Sequence, residues 1–324
     1  MDKLWDLERD KVINEIIKRN AKNILFQFPD GLITHVKREI NAIKKELNQR
    51  NYDNFNLTVW GGTNFGACDL CDSSAEKMEI DLIIHYGHEK LPYVHPKIPT
   101  IFIPAYYITD EDKKNNLFEN VDRYISEKEG DVSIVTTVQY KNILKKYNPS
   151  IILGCRGEIK NLKNNILYIG TGRFHPLFLS YKYRKKVDIF NPSTLKFSKI
   201  TKEEIDKFIK QRLGILSKYL LMDLDSAGVV ISTKPGQCRK KLFNRVIDLM
   251  RSNGIKPIPI VMDNISPERL LQYNLVMYVI CACPRIVLDD GSLYQYKVIT
   301  PKEFEMILNK DFNYKFDEVS PNDF

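Results

Sequence analysis

Three cysteines lie far apart in the chain, each just past an apolar, strand-like run. They are Cys68 in Gly66-Ala67-Cys68-Asp69, Cys155 in Leu153-Gly154-Cys155-Arg156 and Cys283 in Ala282-Cys283-Pro284-Arg285. No local hairpin can gather such a trio, whereas a fold built in three parts can. Three thiolates at one point suit an iron–sulfur cluster with one iron left without a protein ligand, and that open iron would be a reactive atom. Cys68 also forms a Cys-x-x-Cys with Cys71, which with Cys281 and Cys283 has the makings of a zinc site, or alone of a redox dithiol. Against zinc, Cys-x-Cys is an unusual knuckle, and here it sits at an apolar strand end. Against the dithiol, no thioredoxin-like context surrounds it. Spacing alone leaves cluster, zinc and plain burial open.

Three further loops, and the run that follows Cys283, carry polar chemistry. Leu82-Ile83-Ile84-His85-Tyr86-Gly87-His88 places two histidines at a strand end, where they suit a pocket wall. Gly170-Thr171-Gly172-Arg173-Phe174-His175 begins like a dinucleotide fingerprint but lacks its final glycine and an acidic ribose partner. Arg173 and His175 there suit a carboxylate or phosphate, and a plain glycine turn reads equally well. Thr233-Lys234-Pro235-Gly236-Gln237-Cys238-Arg239 lies between a strand and a helix, a place where backbone N–H groups bind anions, with Lys234 and Arg239 in support. It is not a P-loop, because the Gly-Lys-Ser/Thr ending is missing. Arg285 can offer a carboxylate two parallel hydrogen bonds, with Asp289 and Asp290 placed to orient it or to cap a turn. No serine–histidine–acid set and no glycosidase-like carboxylate pair stands out.

The elements that must position these loops read as alternating strands and helices. In a first part, strand-like runs at 24–28, 57–60, 82–86 and 100–103 accompany a helix carrying Ile33, Val36, Ile40, Ile43 and Leu47. A second part has strands at 132–135, 151–153, 166–169 and 187–190, with helices over 117–125 and 138–147. A third opens on the Thr201/Glu204 capping box and a helix lined by Ile205, Phe208, Ile209, Leu213, Leu216 and Leu220. Strands follow at 229–231, 257–261 and 275–280, with Ser266-Pro267 opening a short helix. The pattern predicts an α/β fold of three similar parallel-sheet domains, 1–104, 105–199 and 200–324, arranged around a central cluster site. The polar tail after Asp311 reads as frayed.

Composition agrees with a soluble globular chain: 324 residues, 43% hydrophobic, 28% charged and a net charge of +8. The excess of positive charge permits an acidic partner but reads more simply as a lysine-rich surface. The charged N-terminal stretch, residues 1–20, lacks a signal core, and the longest apolar stretch, near 275–283, is too short to span a bilayer, so a cytoplasmic protein is expected. Six cysteines without a secretory signal argue against a disulfide framework.

Taken together, Gln27-Phe28-Pro29-Asp30-Gly31, Phe65-Gly66-Ala67-Cys68-Asp69, His85-Tyr86-Gly87-His88, Gly154-Cys155, Phe174-His175-Pro176, Gly236-Gln237 and Ala282-Cys283-Pro284-Arg285 resemble the radical enzymes that begin diphthamide formation, the archaeal 2-(3-amino-3-carboxypropyl)histidine synthases. The matches run along nearly the whole chain; the combination is specific, while any single piece is weak. The resemblance implies a 4Fe-4S cluster held by Cys68, Cys155 and Cys283, with Cys71, Cys238 and Cys281 outside the ligand set. It implies S-adenosylmethionine as co-substrate, its sulfur–Cγ bond broken by the reduced cluster and its 3-amino-3-carboxypropyl group joined to C2 of a histidine in translation elongation factor 2. An external electron donor and a homodimer come with it, and no direct nucleic-acid contact. Gly236, Gln237, Arg285 and His175 are then expected at the S-adenosylmethionine site. Two alternatives remain at this stage: a quinolinate-synthase-like 4Fe-4S enzyme, and a zinc-stabilised RNA-binding module.

Overall fold

Apolar runs punctuated by glycine and proline become the strands of three parallel-dominated sheets in the computed structural model, which describes residues 5–324. The first four residues of the charged N-terminal stretch lie outside those described. In the first sheet the order is Asn56–Val59, Asn23–Gln27, Leu82–Tyr86, Thr100–Ile103, all parallel. In the second it is Lys196–Ile200, Val187–Asn191, Asn165–Ile169, Val132–Thr136, Ser150–Ile151. In the third it is Lys256–Met262, Ser226–Ser232, Tyr278–Ile280, Val298–Ile299, again all parallel.

Period-two alternation sends successive side chains to opposite sheet faces, and both faces are covered. In the first sheet Ile24, Phe26, Leu82 and Ile84 pack on Val12, Ile13 and Ile16 of the helix Arg9–Lys18 and on Ile43 and Leu47 of the helix Val36–Gln49. Leu25 and Ile83 point the other way, onto Leu70, Cys71 and Ala75. In the third sheet Val229, Val279 and Cys281 face Phe208 and Leu216 of the helix Lys202–Leu220 and Val246 of the helix Lys240–Ser252. Val230, Ile280 and Ala282 face Leu270 and Val287. The Thr201 capping box forms, with Thr201 accepting from Glu204 N and Glu204 accepting from Thr201 N. Ser266 caps the short helix Pro267–Leu270 as its sequence predicts.

By packing, the chain groups into two compact units. One comprises the described residues up to Glu111 with Val138–Lys145 and Lys234–Gly236; the other comprises Asp112–Thr137, Lys146–Thr233 and Gln237–Phe324. The first carries the first sheet, the second the other two. Every candidate loop follows the carboxyl end of a strand, where ligands of such sheets bind.

Four expectations are corrected. The predicted helix over 138–147 is two separate 3-10 turns, Val138–Tyr140 and Lys145–Tyr147. The strand expected over 275–280 is confined to Tyr278–Ile280. Lys196–Ile200 is an additional strand; it pairs antiparallel with Val187–Asn191 as an edge hairpin closed by the turn around Pro192. The tail is docked rather than frayed: Tyr314, Asp317 and Val319 are buried, because buried Arg239 needs the carboxylates that the tail supplies.

Candidate active-site loops

In the first unit a single amide anchors the loop that carries Cys68. Gln27 ends the central strand and is wholly buried. Its Nε2 donates to the Thr63 carbonyl at 3.2 Å and to the Asp69 carbonyl at 2.7 Å, while its Oε1 accepts from Cys71 N at 3.4 Å. Lys234 forms a buried ion pair with Asp69 and donates to Thr63 Oγ1 at 2.9 Å. Asp69 also accepts from Phe65 N at 3.2 Å. From the other side Gly236 N donates to the Cys68 carbonyl at 2.9 Å, and a Cβ at Gly236 would overlap Cys68 Cα and Cβ, so only glycine fits. Lys234 is therefore spent on the loop and is not the free anion ligand expected from the sequence.

The His85-Tyr86-Gly87-His88 segment closes the same site. Gly87 takes a φ of +87°, and an added Cβ would meet Pro29 Cγ at 2.7 Å, so Gly87 and the Pro29 turn require each other. His85 Nδ1 lies 2.9 Å from Gln27 Oε1, and His85 Nε2 lies 3.1 Å from His88 Nδ1. Burial holds both rings neutral: it lowers His85 well below the usual histidine value, with His88 adding to the effect, and lowers His88 to about 4, the Tyr86 carbonyl opposing. Cys71 is buried and its thiol is pushed up to about 12, chiefly by burial, while Cys68 is half-buried. Asn64, four residues before Cys68, is buried with neither side-chain atom bonded among the described residues.

In the second unit the loops of Cys155 and Cys283 meet at one aromatic ring. Phe174 fills the space over Gly154, where a Cβ would overlap its ring. The Arg285 guanidinium stacks on the same ring at 3.9 Å. Arg285 Nε donates to Asp289 Oδ2 at 2.5 Å and Nη2 to the Phe174 carbonyl at 3.2 Å. Its Nη1 is buried and has no partner among the described residues. His175 packs edge-on to Phe174, with ring centroids 5.1 Å apart, and stacks on Tyr168 at 6.0 Å. Burial raises the Cys283 thiol, opposed by the Arg285 backbone N–H and then by the Arg285 charge. Burial raises Asp289 too, against the pull of Arg285.

Arg239, also expected as an anion ligand, is instead a clamp. It donates to both carboxylate oxygens of Asp317, to Asp323 and to the carbonyls of Ala282 and Glu318. Through Ala282 it steadies the residue before Cys283, and the tail it holds sends Val319 N to the Cys155 carbonyl at 3.2 Å. Arg173 is likewise committed, to Glu204 and to the Lys199 carbonyl. Gln237 is buried at the start of this unit's last segment. Cys281 lies in the core, its thiol raised by burial, and Cys238 is half-buried.

Comparison with known proteins supplies what these loops alone do not. A family profile described as "Putative diphthamide synthesis protein" matches residues 28–319. The chain belongs to that family. It is 49% identical to the 2-(3-amino-3-carboxypropyl)histidine synthase of Methanocaldococcus jannaschii, over 99% of this chain and 95% of the relative. It is 32% identical to the protein of that name from Pyrococcus horikoshii, over 98% and 94%. The crystal structure of Dph2 from Pyrococcus horikoshii with a 4Fe-4S cluster superposes with a TM-score of 0.81 at 31% identity, covering 97% of this chain and 94% of that one.

Membership removes the quinolinate-synthase-like and RNA-binding-module readings. It also makes sense of the motif pieces that had no role of their own: Gln27, Pro29 and Gly87 build the Cys68 loop, and Gly154 and Phe174 build the other. Reasoning from sequence missed Asn64 and the Asp69–Lys234 pair. The one signal for them was Gln27, a lone amide closing an apolar strand, which must bond something once buried. No described helix is long and apolar enough to cross a membrane.

Proposed function

We propose that this chain is a diphthamide-forming 2-(3-amino-3-carboxypropyl)histidine synthase whose cluster is held by Cys68, Cys155 and Cys283. The division of its six cysteines carries the assignment of ligands. Cys71 and Cys281 are sealed in hydrophobic cores, whereas Cys68, Cys155 and Cys283 are half-buried on loops beyond strand ends. A cluster must reach its ligands, so thiols walled into a core are poor ligands and thiols on loops good ones. Cys238 is also half-buried, but its position matches no piece of the family pattern. No three His, Cys, Asp or Glu side chains among the described residues stand close enough to hold a single metal ion, which disfavours zinc.

A 4Fe-4S cluster supplies, when bound, the electron that breaks the sulfur–Cγ bond of S-adenosylmethionine. The chain's own residues bind and orient. A sulfonium ordinarily alkylates an imidazole nitrogen; delivery of a carbon radical allows reaction at C2 instead, so the protein's task is placement. In the second unit Arg285 Nη1 is a buried polar atom short of a partner among the described residues, which suits a polar group of S-adenosylmethionine. Gly236, Gln237 and His175 are proposed as further residues that bind S-adenosylmethionine. Translation elongation factor 2 is the protein substrate in this reading. The three segments 1–104, 105–199 and 200–324 each give one cysteine, and the working form is a cytoplasmic homodimer served by an external electron donor and making no direct nucleic-acid contact.

The test is to purify the protein without oxygen, reduce it, and add S-adenosylmethionine with elongation factor 2. Methylthioadenosine and a 3-amino-3-carboxypropyl group on C2 of one histidine are expected. Iron- and sulfide-loaded protein that yields neither would sink the proposal.

A further inference from the structure

The hydrogen bonds around Gln27 fix more than a loop. Two backbone carbonyls, Thr63 and Asp69, take hydrogen bonds from Gln27 Nε2, and Cys71 N donates to Oε1, so the amide has one orientation. Oε1 can only accept, and His85 Nδ1 at 2.9 Å must therefore carry the proton. His85 is neutral and wholly buried, which leaves its Nε2 bare. His88 Nδ1, 3.1 Å away, must then carry a proton to donate to it. A neutral His88 in that tautomer has a bare Nε2. This atom is not among the sealed, unbonded polar atoms of the described residues, and His88 as a whole is only half-buried. The atom lies beside the cysteine loop: the position of a Gly66 Cβ lies 3.9 Å from His88 Nε2 and 3.5 Å from Cys68 Sγ.

We infer that His88 Nε2 is the acceptor that grips an N–H of the target imidazole and so presents its C2 beside the Cys68 loop. This rests on the function proposed above. The chemistry of the substrate ring favours it. In a neutral imidazole C2 lies between one N–H and one bare nitrogen, so an acceptor on the N–H holds C2 one bond away. Around this loop Asp69 and Lys234 are paired with each other, and Gln27 and His85 have their polar atoms engaged. His88 is held as a pure acceptor by a buried chain that starts at Gln27, and burial keeps it from becoming a donating cation. The arrangement selects for a side chain that has a nitrogen-bound hydrogen next to the carbon to be attacked.

The test has two arms. In cluster-free protein with 15N-labelled histidine, His88 should show a protonated Nδ1 and a bare Nε2; a protonated Nε2 overturns the inference. In the reduced, cluster-loaded protein, methylthioadenosine and transferred group are measured side by side as elongation factor 2 is varied. His88→Ala should raise KM for the factor and lower the group transferred per methylthioadenosine, by roughly tenfold each, the scale of one hydrogen bond removed from a reacting ring. His88→Gln keeps an acceptor and should recover most of both. Unchanged KM and coupling in His88→Ala would overturn the inference, as would a His88→Gln no better than His88→Ala. Loss of the cluster's absorbance in both variants would count against it too, since His88 would then support the loop rather than the substrate. A loaded wild-type protein that forms no methylthioadenosine strikes the proposed activity itself, a result distinct from failure of the variants alone.

Discussion

Arg239 and Arg285 are both buried in the second unit, 1% and 5% exposed, and they differ in one respect. Arg239 has every side-chain nitrogen bonded, to Asp317, Asp323 and two carbonyls. Arg285 spends Nε on Asp289 and Nη2 on Phe174 and leaves Nη1 open. A closed set of bonds around a buried charge serves the fold; an open one withholds stability that a ligand can restore. The first unit repeats the contrast. Lys234 is closed by Asp69 and Thr63, whereas Asn64 is open. Among the described residues His85 has side-chain partners at both ring nitrogens, and His88 has one at Nδ1.

The cysteines give the comparison its largest expected effect. Serine at 68, 155 or 283 should abolish bound iron and sulfide, whereas serine at 71, 238 or 281 should leave them near wild-type levels. Metal and sulfide analysis of the six anaerobically purified variants decides it. Iron kept in Cys68→Ser and lost in Cys71→Ser would reverse open and closed. Next come the arginines. Arg239→Met leaves Asp317 buried without its partner and should cost about 3–5 kcal/mol in urea unfolding, with release of the tail. Arg285→Met should cost less, about 1–2 kcal/mol, because it removes the stacking on Phe174, one hydrogen bond to the Phe174 carbonyl and an ion pair with the partly exposed Asp289. Affinity should run the other way: Arg285→Met should weaken S-adenosylmethionine binding to the cluster-loaded protein roughly tenfold or more, the scale of a charged hydrogen bond. Equal losses of stability in the two variants would erase the distinction.

Strand ends were legible because apolar runs and glycines mark them locally, and the three outer cysteines could be read as one set because each follows such an end. What stayed hidden is long-range polar pairing. Arg239 and Lys234 look like anion ligands in sequence because the carboxylates that neutralise them, Asp317 and Asp69, are remote along the chain. The tail looked frayed for the same reason: its polar residues are the partners of a buried cation, and composition cannot distinguish a solvated carboxylate from a buried, paired one. The edge hairpin at Lys196–Ile200 escaped notice because its exposed polar residues carry no apolar period. Gly236 was singled out for a ligand, yet its most evident constraint is the Cys68 backbone lying against it.

The histidines give the smallest effect and the finest test of closed against open. An unfolded chain protonates His88 below its ordinary value of 6.5, while the native ring stays neutral to about 4. Across that window the unfolded state binds more protons, so stability falls as the pH drops from 6.5 toward 4 and then levels off. Taken in full the shift would cost just under 2 kcal/mol between pH 7 and pH 5, and the ring's partial exposure brings the expected loss to about 1 kcal/mol. His88→Gln does not titrate and should remove that part of the slope while the fold survives, since its amide can still donate to His85 Nε2. Substitution of His85 should instead lower stability at every pH, because it strands Gln27 Oε1 and the whole Cys68 loop with it. Urea midpoints of the two variants at pH 7 and pH 5 separate these outcomes. A slope unchanged in His88→Gln would mean that the ring titrates alike in the native and unfolded chains, and so that burial does not hold it as a neutral acceptor below its ordinary value.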